Sequence, residues 1–254
     1  MTKQPTKNKS RVFVLVLLLC GIGDYVIFGL ADVAAAPEKT VKVLCYHKIG
    51  YATDPLSVTP EDFESQLLAL QECGYNVISL AEFHQFMTKQ NIVLPPKPVL
   101  LTFDDGYEDN YTNAYPLLTK YNMSGTFFVI TKLVNQPGRM TSTQILRMSR
   151  NGMYFGSHTV NHRELDCLSN KDLIKELADS KLYLEWILNQ EITAIAYPEG
   201  RINEHVILET DNFYTEGFTV EMGSVQQNSN LLKLHRIPVF SYTSSIISLL
   251  ANAA

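Results

Sequence analysis

The residues Val99-Leu100-Leu101-Thr102-Phe103-Asp104-Asp105-Gly106-Tyr107 join an unbroken apolar run to two adjacent carboxylates and a glycine. An apolar run without alternation suits a strand buried on both faces, as in a parallel sheet, and Pro95, Pro96 and Pro98 punctuate its start. Folds with parallel sheets place their chemistry at the carboxyl ends of the strands. Asp104 and Asp105 therefore read as site residues. The competing reading is a solvated turn, for which Asp-Asp-Gly is equally good chemistry.

A second cluster bears on that choice. Gly156-Ser157-His158-Thr159-Val160-Asn161-His162 follows the short apolar segment Met153-Tyr154-Phe155. Histidines four apart face the same way on a helical turn. The spacing therefore predicts a turn on which His158 and His162 grip one metal ion, with a carboxylate as third ligand and a position open to water. Alone, such a pair also fits a solvated or structural role; together with a strand-end acid pair it favours a metal site.

These motifs resemble those of the polysaccharide deacetylases, the carbohydrate esterases that share a domain with nodulation chitooligosaccharide deacetylases. The resemblance runs from about Val41 to about Val239. It is carried by Tyr46-His47-Lys48-Ile49, Thr102 to Tyr107, Thr126-Phe127-Phe128-Val129, Ser157 to His162, Ala196-Tyr197-Pro198-Glu199-Gly200 and Arg236-Ile237-Pro238-Val239. The first and last of these are most similar to the branch acting on poly-β-1,6-N-acetylglucosamine. The family implies a distorted (β/α)7 barrel in a single catalytic domain, here residues 37–254.

The residues before that domain read separately. Lys3, Lys7, Lys9 and Arg11 precede the apolar run Val12 to Leu19, and Ala34-Ala35-Ala36 precedes Pro37. This is the pattern of a secretory signal peptide cleaved after Ala36, with a membrane anchor through residues 12–30 as the alternative. A secreted or cell-surface protein is expected. Removing residues 1–36 leaves 17 basic residues against 24 acidic ones, a balance that excludes nucleic acid and anionic membrane surfaces as natural partners. Cys45, Cys73 and Cys167 then remain, odd in number and scattered, so no disulfide framework is expected and Cys45 reads as a buried thiol. A monomer is expected.

Apolar segments alternate with helix-like ones along the rest of the chain. Strands are predicted at 41–46, 76–78, 99–103, 125–130, 153–155, 193–197, 217–220 and 234–239. A helix capped by Thr59 is predicted over 60–73. A longer one capped by Ser169 covers 170–189, with Leu173, Leu177, Leu184 and Leu188 as its core stripe. Such alternation implies parallel strands with helical crossovers.

Amide hydrolysis needs an activated water, a stabilised oxyanion and a proton for the departing amine. Matched to the family motif, Asp105, His158 and His162 become the ligands of one divalent ion and Asp104 the base. Zinc suits this donor set; the family leaves cobalt or nickel open. The resemblance also implies that the backbone of Glu199, within Tyr197-Pro198-Glu199, helps to hold the oxyanion. Glu199 departs from the tyrosine common there, and Ala196 stands where many members have an arginine. Arg236 is the candidate to supply that charge. His235 falls near the family's general acid, and His47 and Tyr107 are candidates for the mouth of the site. His84 and His205 read as surface residues of helix-like segments. The expected substrate is an N-acetylglucosamine polysaccharide; an O-acetyl xylan esterase and a non-catalytic carbohydrate-binding relic are the other function classes.

Overall fold

The computed structural model describes residues 40–253, so the leader expected at residues 1–36 lies outside the described residues. In chain order the strands are β1 (Thr40–Tyr46), β2 (Lys48–Ile49), β3 (Ser57–Val58), β4 (Asn76–Val77), β5 (Pro98–Phe103), β6 (Thr126–Val129), β7 (Tyr154–Ser157), β8 (Ala194–Ala196), β9 (Glu216–Phe218), β10 (Val225–Gln226) and β11 (Ile237–Pro238). The helices are α1 (Pro60–Glu72), α2 (Leu80–Met87), α3 (Tyr115–Lys120), α4 (Ser142–Arg150), α5 (Asn170–Leu188), α6 (Glu204–Thr210) and α7 (Ile246–Asn252).

β5 is buried along its whole length and flanked by parallel partners, β1 on one side and β4 and then β6 on the other, as its continuous apolar sequence requires. Parallel pairing continues through β7, β8 and β9, and β11 joins β1. The curl closes where Phe218 bridges Leu234 in parallel, just before β11; the Leu234 amide donates to Gly217 O at 2.8 Å and the Thr219 amide to Leu234 O at 2.9 Å. The path β11-β1-β5-β6-β7-β8-β9, returning on itself through Leu234, is the distorted seven-stranded barrel that the sequence implied.

Strand alternation divides the core in two. Val99, Leu101 and Phe103 of β5 face outward into the larger cluster, with Leu67 of α1, Met148 of α4 and the stripe Leu173, Leu177, Leu184 and Leu188 of α5. Leu100 faces inward with Val43, Phe128, Ala196, Phe218 and Leu234, and Leu80, Phe83, Phe86 and Met87 of α2 fill the same interior. Gly156 of β7 makes room for this filling: a Cβ there would lie 2.5 Å from the Phe128 ring and 2.8 Å from Ala194 O. Thr59 and Ser169 cap α1 and α5 as expected, each accepting from the amide three residues on.

Candidate active site at the barrel mouth

Register brings the motif residues together. β1 and β5 align Tyr46 beside Phe103, so His47 and Asp104 emerge side by side, and the Asp104 amide donates to Tyr46 O at 2.9 Å. β7 and β8 align Ser157 beside Ile195, which sets His158 next to Ala196. The inward row of β5, Leu100 and Thr102, continues to Asp104.

Asp105, His158 and His162 converge. Asp105 Oδ1 stands 3.6 Å from His158 Nε2 and 3.7 Å from His162 Nε2. Two ligands of a tetrahedral zinc, each at ~2.0–2.1 Å, stand about 3.4 Å apart, so both Asp105 spacings fit such an ion to within tenths of an ångström, and all three donors lie within 4.8 Å of one another. His158 is buried, and its Nδ1 lies 2.7 Å from Ala196 O. A carbonyl only accepts, so Nδ1 carries the proton and Nε2 is left to ligate.

The histidines are not on a helical turn, contrary to the expectation from their spacing. The amide that would close such a turn, that of His162 onto His158 O, donates to Thr159 Oγ1 at 3.0 Å instead, while those of Val160 and Asn161 donate to Glu176 Oε2 at 2.9 and 2.8 Å. The loop instead turns through left-handed backbone at Thr159 (φ 64) and His162 (φ 56). Asp105 (φ 74) and Glu199 (φ 55) are left-handed too, so four of the nine such non-glycine residues among those described lie in the site's loops. Backbone strain of this kind gathers where geometry is fixed for function.

Asp104 sits beneath this group. Arg236 Nη1 donates to its Oδ1 at 2.8 Å and Nη2 to its Oδ2 at 2.7 Å, while Nε donates to Thr219 O at 2.7 Å; the guanidinium is fully buried. Burial pushes the Asp104 carboxyl up, but the Arg236 charge, with a smaller contribution from His158, outweighs it and holds the group well below the usual carboxylate range. The Cys45 thiol points at Asp104 Oδ2 from 3.5 Å, and burial pushes that thiol's pKa up. His47 completes the floor. A His47 ring nitrogen, Cys45 Sγ and an Asp104 oxygen lie within 4.8 Å of one another, and His47 Nδ1 is buried without a hydrogen-bond partner among the described residues. Burial, ahead of the opposing pull of Asp104 and Asp105, lowers the His47 pKa below its ordinary 6.5.

Comparison with known proteins accounts for this arrangement. The family model described as polysaccharide deacetylase matches residues 91–215. YxkH of Bacillus subtilis (strain 168), named a putative polysaccharide deacetylase, is 36% identical over 80% of this chain and 73% of its own length. This chain belongs to the polysaccharide deacetylase family. The poly-β-1,6-N-acetyl-D-glucosamine N-deacetylase of Staphylococcus aureus is 31% identical over 71% of this deacetylase and 67% of its own length. The solved structure of the Streptococcus pyogenes deacetylase PplD in complex with acetate superposes with a TM-score of 0.80 at 34% identity, covering 85% of this chain and 99% of that one.

Other motif residues of the deacetylase divide between mouth and core. Tyr107 is at the mouth, its ring under the Arg139 guanidinium at 4.0 Å, and Arg139 Nη1 donates to Asp105 O at 2.7 Å. Tyr197 is not: with Ala194 and Ala196 facing inward, alternation turns its ring outward, where its hydroxyl donates to Leu232 O at 3.1 Å. Pro198 is buried and Glu199 exposed, its side chain unpaired among the described residues. His235 does not join the group. Leu234 and Arg236 face inward, so His235 faces away and lies 3.5 Å from Glu221. His84 is no free surface residue, being paired with the buried Glu216. Sequence reading missed Thr102 and Cys45 as site neighbours, and Glu176 altogether. The available signal for Glu176 was an acid inside the α5 apolar stripe.

Proposed function

We propose that this deacetylase hydrolyses N-acetyl groups of an extracellular N-acetylglucosamine polysaccharide, with poly-β-1,6-N-acetylglucosamine as the leading substrate. The observation that carries the reaction class is the Asp105, His158 and His162 triangle set against a buried, ionised Asp104. The substrate is supported by Tyr46-His47-Lys48-Ile49 and Arg236-Ile237-Pro238-Val239, and by the relative from Staphylococcus aureus. Export is supported by the basic, apolar pattern of residues 1–36.

Asp105, His158 and His162 would hold one divalent ion, zinc by donor type, and that ion, when bound, would supply Lewis acidity at the acetyl group. Asp104 Oδ1 is the base that takes a proton from the attacking water: it keeps a lone pair beyond the one given to Arg236, whereas Oδ2 also faces the Cys45 thiol. The backbone of the Tyr197-Pro198-Glu199 turn faces the acetyl oxygen. His47, neutral at rest, takes the proton from Asp104 and passes it to the departing nitrogen, leaving acetate and an amine. His47 replaces His235 in this role because it lies beside Asp104. The absent arginine at Ala196 is made good by Arg236 from the segment just before β11, which weakens the case for an inactive relic.

Acetate release is the test, with the zinc-loaded chain given β-1,6 and β-1,4 N-acetylglucosamine oligomers, peptidoglycan and acetylated xylan. Release from the β-1,6 oligomer, abolished by chelation, is expected. Release from xylan alone would reassign the chain to ester hydrolysis, and no release from any of them would make it a binding protein.

A further inference from the structure

The loop from His158 to His162 lacks regular secondary structure, and Thr159 and His162 hold left-handed backbone unfavourable to residues with side chains. Such a loop keeps one shape only where its surroundings over-determine it. Glu176 of α5 is the group that does so. Besides the amides of Val160 and Asn161 on its Oε2, its Oε1 accepts from Asn161 Nδ2 at 2.7 Å. One turn along α5, Ser180 Oγ meets Ser157 Oγ at 2.8 Å, and Ser157 Oγ accepts from the Thr159 amide at 3.0 Å. The helix thus grips the loop at its start and its middle.

Glu176 is 3% exposed, beside Leu177 in the buried face of α5, and makes no ion pair among the described residues. A buried carboxylate is costly, and an acid at such a position is tolerated where its charge is satisfied by converging donors. Here all three donors come from the two residues midway between the histidines. We propose that Glu176 is a positioning residue for the metal ligands: its buried carboxylate holds the 159–162 loop in the shape that aims His158 and His162 at Asp105.

The proposal rests on the reading of Asp105, His158 and His162 as a metal centre, and zinc titration of the metal-stripped full chain separates the two. A parent chain that binds no zinc refutes the centre itself. With binding established, Glu176→Ala should weaken zinc affinity by about 10- to 100-fold, the range for outer partners of metal ligands. Glu176→Gln should fall between parent and Ala, since a neutral oxygen still accepts from the two amides but more weakly. Leu188→Ala, at the far end of α5, lowers the melting temperature without touching the loop, and should leave zinc affinity at the parent value. Zinc affinity that is unchanged in Glu176→Ala, or that falls equally in Leu188→Ala, overturns the proposal. Should Glu176→Ala fail to fold, Glu176→Gln decides by the same criterion, unchanged affinity overturning it.

Discussion

Asp104 and Asp105 are adjacent and chemically identical, yet alternation and a left-handed turn give them different surroundings. Asp104 continues the inward row and meets a buried guanidinium; Asp105 turns back at φ 74 to face two imidazoles. Their substitutions should differ accordingly. Asp105→Ala should lose zinc and activity together, whereas Asp104→Asn should keep zinc and lose turnover by on the order of 10²-fold or more, the effect of removing a general base. Full turnover in zinc-loaded Asp104→Asn would end that assignment. The same acetate assay separates the histidines: His47→Gln should lose turnover by at least ~10²-fold with zinc retained, while His235→Gln, paired only with Glu221, should stay near the parent rate.

At the scale of elements, the sequence announces the parallel strands of the barrel because each is a short apolar run between turn residues, but not the two-residue parallel pair β2 and β3, too short to show a pattern; it announces α1 and α5 because each pairs a capping hydroxyl with a leucine or phenylalanine stripe. What stayed hidden was phase. The segment predicted as a strand over 234–239 is a regular strand only at Ile237–Pro238, with a bridge at Leu234, and only its pairing reveals that Leu234 and Arg236 point inward, and so that Arg236, not His235, reaches Asp104. Phase also removes Tyr197 from the site. The histidine spacing misleads for a local reason: the His162 amide that would close a helical turn donates to Thr159 Oγ1 instead, and Thr159 and His162 take left-handed backbone. Short helices such as α3, α6 and α7 carry too few turns for a readable period. The leader is the remaining element. Its basic start, apolar run and alanine exit predict that the exported protein begins at Pro37, and N-terminal sequencing of material outside the cell checks this. A membrane-fraction protein beginning at Met1 or Thr2 would establish an anchor instead.

For the whole molecule, the Arg236 and Asp104 pair links stability to pH. The ordinary carboxyl value is 3.8, and the folded value of Asp104 lies well below it. Between those values the unfolded chain binds more protons, so this stabilisation is complete above about pH 4 and is lost as pH falls toward the folded value. Asp104→Asn leaves the buried guanidinium without its counter-charge. It should be less stable than the parent by about 3–5 kcal/mol at neutral pH, with that gap unchanged near pH 5 and narrowing near pH 3. Urea unfolding at these three pH values measures it; a gap that narrows already between neutral pH and pH 5 would show that Asp104 is not held low. The parallel bridge from Phe218 to Leu234 has a further consequence in the time domain. A chain emerging from its N-terminus presents Asp104, Asp105, His158 and His162 long before the segment that seals the barrel and carries the guanidinium. Any translation product cut short before Leu234 would therefore be catalytically silent, and hydrolysis begins only once the finished chain has shut its barrel.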